Sequence, residues 1–234
     1  MLQIRRAEDR GHANHGWLNS HHTFSFAGYY DREQMGWGPL RVINDDTVDA
    51  QEGFPTHSHK DMEIISYVLE GALEHKDTIG TGSVIRPGDV QMMEAGTGIA
   101  HSEFNASVTE PVHFLQIWVI PKFAGLEPSY QQRHFSDEEK RGKFRLVVSK
   151  EGQEGALRIH QDMSMYAGLF DGGETAEWTL DPSRLAYVHV ARGAITINGS
   201  RLAAGDGLKI AGEPRLDFKD GEKAEVLLFD LPPT

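Results

Sequence analysis

Between Phe54 and Glu63 the chain runs FPTHSHKDME, and between Ala95 and Glu103 it runs AGTGIAHSE. Each stretch carries two metal-type donors one residue apart: His57 with His59, and His101 with Glu103. Side chains on a strand alternate between its faces, so each pair projects to one side. Two neighbouring strands can then aim His-x-His and His-x-Glu at one point, with ring nitrogens about 2.0–2.1 Å from an ion. Gly96 and Gly98 permit a close backbone approach and positive φ just before the second pair. Either pair alone is weak evidence, because the chain holds 12 histidines and also places His12, His15, His21 and His22 freely. Together the pairs are far more specific.

Glu63 competes with Glu103 for the carboxylate role. Four residues of straight strand set it roughly 13 Å from His59, too far to share an ion. Only a turn over Lys60-Asp61-Met62 would bring it back. Glu103 needs no such turn and is the preferred ligand, which leaves Glu63 as an outer partner or a plain strand-start residue.

The elements that must carry these residues read as strands. Runs at 63–71, 82–93, 113–121, 143–149, 185–199 and 224–232 are rich in Val, Ile, Leu and aromatics and are bounded by Gly, Pro or Asp. Helical periodicity is confined to short pieces such as 136–143, where Ser136 and Glu139 have capping-box spacing. An all-β sandwich or barrel follows. ISYVLEGALEHKD and GSVIRPGDVQMM are echoed later by LAYVHVARGAITING and SRLAAGDGLKI, each second segment carrying a Gly-Asp pair (Gly88-Asp89, Gly205-Asp206). The order predicts two similar barrels in tandem. Residues 121–142, polar and with two prolines, form the expected connection.

Composition narrows the chemistry. The 234 residues are 39% hydrophobic and 25% charged, the balance of a soluble globular protein, and they suffice to bury a real core. A net charge of -12 disfavours nucleic acid as a partner. With no cysteine, disulfides, thiolate metal sites, iron–sulfur clusters and thiol catalysis are excluded, and a reducing compartment fits. MLQIRRAEDR has no apolar run after its arginines, and no stretch approaches the ~20 apolar residues of a membrane span. A cytoplasmic protein, without membrane association and monomeric, is the expectation.

His57-Ser58-His59, Glu63 and Gly71 resemble the first motif of the cupin superfamily, while Gly82, Pro87 and His101 match its second motif only loosely. HHTFSFAGYYD (21–31), HSHKDMEIISYVLEG, MEAGTGIAHSE and PSYQQRHF resemble recurrent segments of the pirin family of bicupins across essentially the whole chain, near its bacterial quercetin dioxygenase-like members. The resemblance implies two jelly-roll-like β-barrels packed face to face: residues 1–134 as the metal-binding barrel and 135–234 as a degenerate barrel without metal. It carries the ligand role onto His57, His59, His101 and Glu103, the set reached from strand geometry, and leaves His160 and His189 as structural or pocket residues. The implied cofactor is one divalent ion per chain, iron foremost, though three imidazoles and a carboxylate also suit Zn, Cu, Ni, Mn or Co.

The implied reaction is that of quercetin 2,3-dioxygenase. The flavonol 3-hydroxyl loses its proton to a carboxylate, Glu103 slightly ahead of Glu63, and the heterocycle opens with O2 and releases carbon monoxide. Phe24, Phe26, Met92 and Met93 are candidate walls for a flat aromatic ligand. A rival implication is a redox-sensing regulator whose metal site serves protein binding. A Zn-dependent cupin isomerase or small-molecule binder is a third.

Overall fold

Short runs of β-branched and aromatic residues, broken by glycine and proline, keep most of the chain extended in the computed structural model, which describes residues 1–233. The strands are β1 (Leu2–Arg5), β2 (Gly11–Asn14), β3 (Leu18–His22), β4 (Leu40–Val48), β5 (Gly53–His59), β6 (Glu63–Glu70), β7 (Leu73–Asp77), β8 (Gly82–Ile85), β9 (Asp89–Glu94) and β10 (Ile99–Asn105). There follow β11 (Val112–Val119), β12 (Ser129–His134), β13 (Phe144–Ser149), β14 (Leu157–Arg158), β15 (Ser164–Gly172), β16 (Ala176–Thr179), β17 (Leu185–Ile197), β18 (Ser200–Ala203), β19 (Gly207–Ala211) and β20 (Arg215–Leu231). The single helical turn expected near Ser136 is α1 (Asp137–Lys140), closed by the Ser136–Glu139 capping box.

A seven-stranded sheet, ordered β12-β9-β6-β11-β4-β3-β2, and a four-stranded sheet, ordered β5-β10-β7-β8, enclose the interior of the N-terminal barrel. A nine-stranded sheet built on the path β1-β19-β17-β20-β15-β13-β14 makes the second half. The all-β, two-barrel architecture expected from the sequence is therefore the one formed. Two details differ from the linear reading. β1 pairs with β19 in the far half, and β12, inside the supposed connection, pairs with β9 in the near one.

The halves meet through one continuous core. Ile65, Tyr67 and Leu69 of β6 pack with Val147, Met165, Tyr187, Leu227 and Phe229 of the second half. Phe24 lies in this core with its ring 5.5 Å from Tyr187, and Met92 is buried there too. Met93 sits in a small cluster with Ile64 and Ile99. These three are thus core residues and not cavity walls. Met92 and Met93 sit on opposite faces of a strand buried on both sides, and Phe24 follows the end of β3 instead of alternating with Phe26 along a strand.

The duplication is visible in its turns. Asp89 accepts the Arg86 N–H at 2.9 Å, and Asp206 accepts the Ala203 N–H at 3.1 Å, each through its carboxylate. The glycine before each aspartate has positive φ, 91° at Gly88 and 85° at Gly205. The same local chemistry closes β8 onto β9 and β18 onto β19.

Strand alternation also decides the fate of Glu63. The turn at Lys60–Met62 does form, with Asp61 at φ 48°. Yet Glu63 shares its face with Ile65 and Tyr67, so it points toward the second half and away from the barrel interior. Its carboxylate accepts the His160 and Gln161 backbone N–H groups at 2.5 and 3.1 Å, joining the halves. It lies beside Glu94, its register partner on β9, and the His160 ring stands 3.4 Å from Glu63 and 3.5 Å from Glu94. Burial of two adjacent carboxyls raises both above the ordinary carboxylate range, and we infer a proton shared by the pair.

A proton bound more tightly in the folded state contributes stability at low pH, and that contribution fades as pH rises. Burial pushes Glu63 up to about 8, so the window runs from the usual carboxylate range to that value. Glu94→Gln supplies a permanent donor in place of the shared proton. Its melting temperature should equal that of wild type at pH 5 and exceed it by about 3 °C or more at pH 8. Parallel melting curves at both pH values would show that no proton is shared.

Candidate metal centre and cavity

β5 and β10 are antiparallel neighbours with His57 opposite His101. β5 is a sheet edge, which is why Pro55 is tolerated in it. Two features fix the arrangement. A Cβ on Gly96 would lie 2.0 Å from the Leu126 carbonyl oxygen, so only glycine fits the turn before β10. Where His101 and Glu103 pair with β5, that strand carries one extra residue between Phe54 and His57, a bulge that re-aims the strand just before its histidines.

The result is a group of three imidazoles. Ring centroids are 4.8 Å apart for His57–His59, 4.5 Å for His57–His101 and 4.9 Å for His59–His101. One donor atom from each lies within 4.8 Å of the others. The His57 Nδ1 donates to the Pro55 carbonyl at 2.9 Å, which leaves its Nε2 as the lone-pair nitrogen. Burial, followed by repulsion from neighbouring imidazoles, lowers His59 to about 4 and His101 to about 3. Neutral rings offer lone pairs at physiological pH, as ion binding requires.

His101 is held from behind. Its Nδ1 is 3.4 Å from the His75 Nδ1, and the His75 Nε2 is 2.8 Å from Asp77, both of the latter side chains being fully buried. If His75 gives its Nε2 proton to Asp77, its Nδ1 accepts from His101, and the His101 Nε2 is left as a lone pair. That Nε2 is buried and has no hydrogen-bond partner. Such carboxylate–imidazole support fixes ring tautomer and orientation at metal sites. His75 and Asp77 were not singled out from sequence, although LEHKD places them i, i+2 on one strand face.

Glu103 stands next to this group, its carboxylate within 4.8 Å of His75 and His101 donor atoms. Both of its oxygens accept from the Gln116 amide, at 3.0 and 2.8 Å, and Ser66 adds a longer contact of 3.3 Å. Glu63 is not in the assembly. His160 lies with Glu63, and His189 is buried in β17 with both ring nitrogens unpartnered, lowered to about 4 chiefly by burial.

His57, His59 and Glu103 open onto a cavity of about 560 Å³. Its apolar walls include Leu18, Phe26, Phe54 and Trp118. Phe26 is thus the one member of the expected aromatic and methionine set that reaches it. The histidines treated as background matter more than expected, since His12, His15 and His22 also line it. The polar wall was missed altogether: Ser20, His22, Asn44 and Asp46, from β3 and β4. Burial pushes Asp46 up to about 7, against the opposing pull of the Ser20 hydroxyl.

Comparison with known proteins agrees with this architecture. Residues 3–119 match the Pirin family, and residues 146–231 match the quercetinase C-terminal cupin domain. Quercetin 2,3-dioxygenase of Escherichia coli strain K12 is 48% identical over 233 residues, covering all of both chains. The crystal structure of Escherichia coli YhhW superposes with a TM-score of 0.96 at 46% identity, covering 100% of this chain and 99% of that one. That of the bacterial pirin YhhW in complex with nickel(II) gives 0.95 at 46% identity, with both chains covered in full. Quercetin 2,3-dioxygenase from Acinetobacter baumannii, at 19% identity and a TM-score of 0.79, shares the fold. The donor set on neighbouring strands, the two-barrel architecture and these matches lead to one conclusion: the chain belongs to the pirin family of the cupin superfamily.

Proposed function

We propose that this chain is a metal-dependent dioxygenase of the quercetin 2,3-dioxygenase type, which opens the flavonol heterocycle with O2 and releases carbon monoxide. The observation that carries the reading is the convergence of three imidazoles beside a cavity walled by Phe26, Phe54 and Trp118. The names of the Escherichia coli relatives and the nickel(II) complex support it. A purely regulatory, protein-binding role for the site leaves this ligand-sized cavity without a use.

His57, His59, His101 and Glu103 would hold one divalent ion, in the barrel formed by residues 1–134 and not in that of 135–234. The unpartnered, buried His101 Nε2 and the free His57 Nε2 fit such an ion. The donor set does not choose among iron, nickel and their neighbours. When bound, the ion would act as a Lewis acid toward a substrate hydroxyl and supply redox capacity for the reaction with dioxygen.

The chain's own residues do the rest. Phe26 and Trp118, 5.4 Å apart and edge to face, give a planar ring an apolar surface and keep water from its faces. Glu103 is the candidate acceptor for the flavonol 3-hydroxyl proton. Gln116, which donates to both of its oxygens, holds the carboxylate in one orientation so that no rotamer search precedes the transfer.

Two measurements test this. His57→Ala and His101→Ala should each lose metal, by elemental analysis, together with oxygen uptake on quercetin. Full activity at wild-type metal content in either variant would remove that residue from the ligand set. Glu103→Gln should weaken metal retention by about tenfold or more, while Glu63→Gln should leave it within about twofold and alter thermal stability instead. The reverse order would return the ligand role to Glu63.

A further inference from the structure

One wall of the cavity has no task in the reaction as derived. Asn44 and Asp46 lie two apart on β4 and so share a face. Their register partners on β3 are His22 and Ser20, so the four side chains form a patch across two adjacent strands. His22, Asn44 and Asp46 are each 4% exposed, and each has a polar atom without a hydrogen-bond partner among the described residues: Nδ1, Oδ1 and Oδ1 respectively. A buried polar atom left unpartnered is destabilising, so three on one cavity wall need a reason.

Position supplies one. The patch belongs to the seven-stranded sheet, whereas His57 and His59 belong to the four-stranded sheet across the cavity. A run of edge-on aromatic contacts leads from one to the other: His59 to Trp118 at 5.0 Å, Trp118 to Phe26 at 5.4 Å, Phe26 to His22 at 5.2 Å. A flat multi-ring molecule with one end at the histidines would present its other end to His22, Asn44 and Asp46. No lysine or arginine is found among the described residues lining the cavity, so the wall away from the metal histidines offers no fixed cation for a carboxylate or phosphate. An amide, an imidazole and a carboxyl can each accept or donate one hydrogen bond to a hydroxyl.

Resting on the dioxygenase reading, we propose that His22, Asn44 and Asp46 form a hydroxyl-reading subsite that selects planar aromatic ligands with hydroxyl groups on the ring remote from the metal histidines. A ligand without those hydroxyls leaves the same atoms unpartnered in the complex and binds more weakly. The subsite thus sets which hydroxylation pattern is accepted, while the metal end sets the chemistry.

The test uses metal-loaded protein in the absence of oxygen, so that binding is read without turnover. Quercetin, which carries a catechol ring, is compared with galangin, which lacks hydroxyls on that ring. Wild type, Asn44→Leu and Asp46→Leu are titrated calorimetrically. Wild type should favour quercetin by about tenfold or more, and each variant should bring that ratio within about threefold by weakening quercetin alone. The variants' melting temperatures should equal or exceed that of wild type, because a near-isosteric apolar residue relieves an unpartnered polar group. An unchanged preference, or a variant too unstable to keep its fold, overturns the subsite and leaves the dioxygenase reading standing. If neither flavonol binds wild type, that reading falls separately and hydroquinone reads the subsite, since its para hydroxyls cannot close on one ion. Hydroquinone binding that is lost in both variants sustains the subsite; binding that is equal throughout, or absent, overturns it.

Discussion

The constraint on which the rest depends is that the central strands of the seven-stranded sheet, β9, β6, β11 and β4, meet water on neither broad face. Along β6, Ile65, Tyr67 and Leu69 pack against the second half, while Ile64, Ser66 and Val68 face the barrel interior. Every polar side chain on such a sheet must find a partner inside the protein or in a ligand. The register shows how most of them do so, while both amide atoms of Gln91 stay without a hydrogen-bond partner. His22, Asn44, Gln116, Ser66 and Gln91 are successive register partners across β3, β4, β11, β6 and β9, and all are buried. A polar row therefore crosses the inner face of the barrel, opposite the sheet that carries His101 and Glu103. Its central members, Gln116 and Ser66, reach Glu103; its outer members, His22 and Asn44, reach the cavity.

That row ties the fold to the chemistry. Glu103 is aimed by residues of the facing sheet and not by its own strand, so a shift between the sheets would move the carboxylate relative to the imidazoles. His101 has the complementary arrangement, being supported within its own sheet by His75 and Asp77 on β7. Tyr130 lies against His75 with ring centroids 4.8 Å apart and closes that side. Both supports lie in the interior, where a hydrogen bond is electrostatically stronger than at the surface and the geometry correspondingly better defined.

The sequence disclosed what depends on local spacing. The clustering of His57, His59 and His101, with Glu103 beside it, was legible because period-two alternation needs only a strand, and the Gly-Asp turns because their chemistry is contained in four residues. What depends on pairing between distant strands was hidden. Glu63 looked like part of FPTHSHKDME, and only the sheet's second face sends it to His160. Asn44, Asp46, Ser66 and Gln116 could not be singled out, since in strands buried on both sides the interior face is not marked by hydrophobicity. β4, which runs LRVINDDTV, breaks clean alternation for this reason and was missed as an element.

Comparison of the two copies shows what the cavity cost the fold. Aligned on the repeat, Tyr67 matches Tyr187 and both lie in the shared core; Ser66 matches Ala186, which lies inside the second barrel. Where the first copy spends its interior on a polar row and a cavity, the second fills it with Val188, Ile195 and stacked Phe170 and Phe218, with Phe144 packed edge-on. His189 shows the same exchange in reverse: it takes the place of Leu69 on the face toward the shared core, where burial keeps it neutral and far from any donor set. The turns survived duplication because they serve folding in both copies. The interiors diverged because a polar wall costs less where a ligand can complete it, and the well-packed second barrel supplies apolar burial that stabilises both halves through their common core.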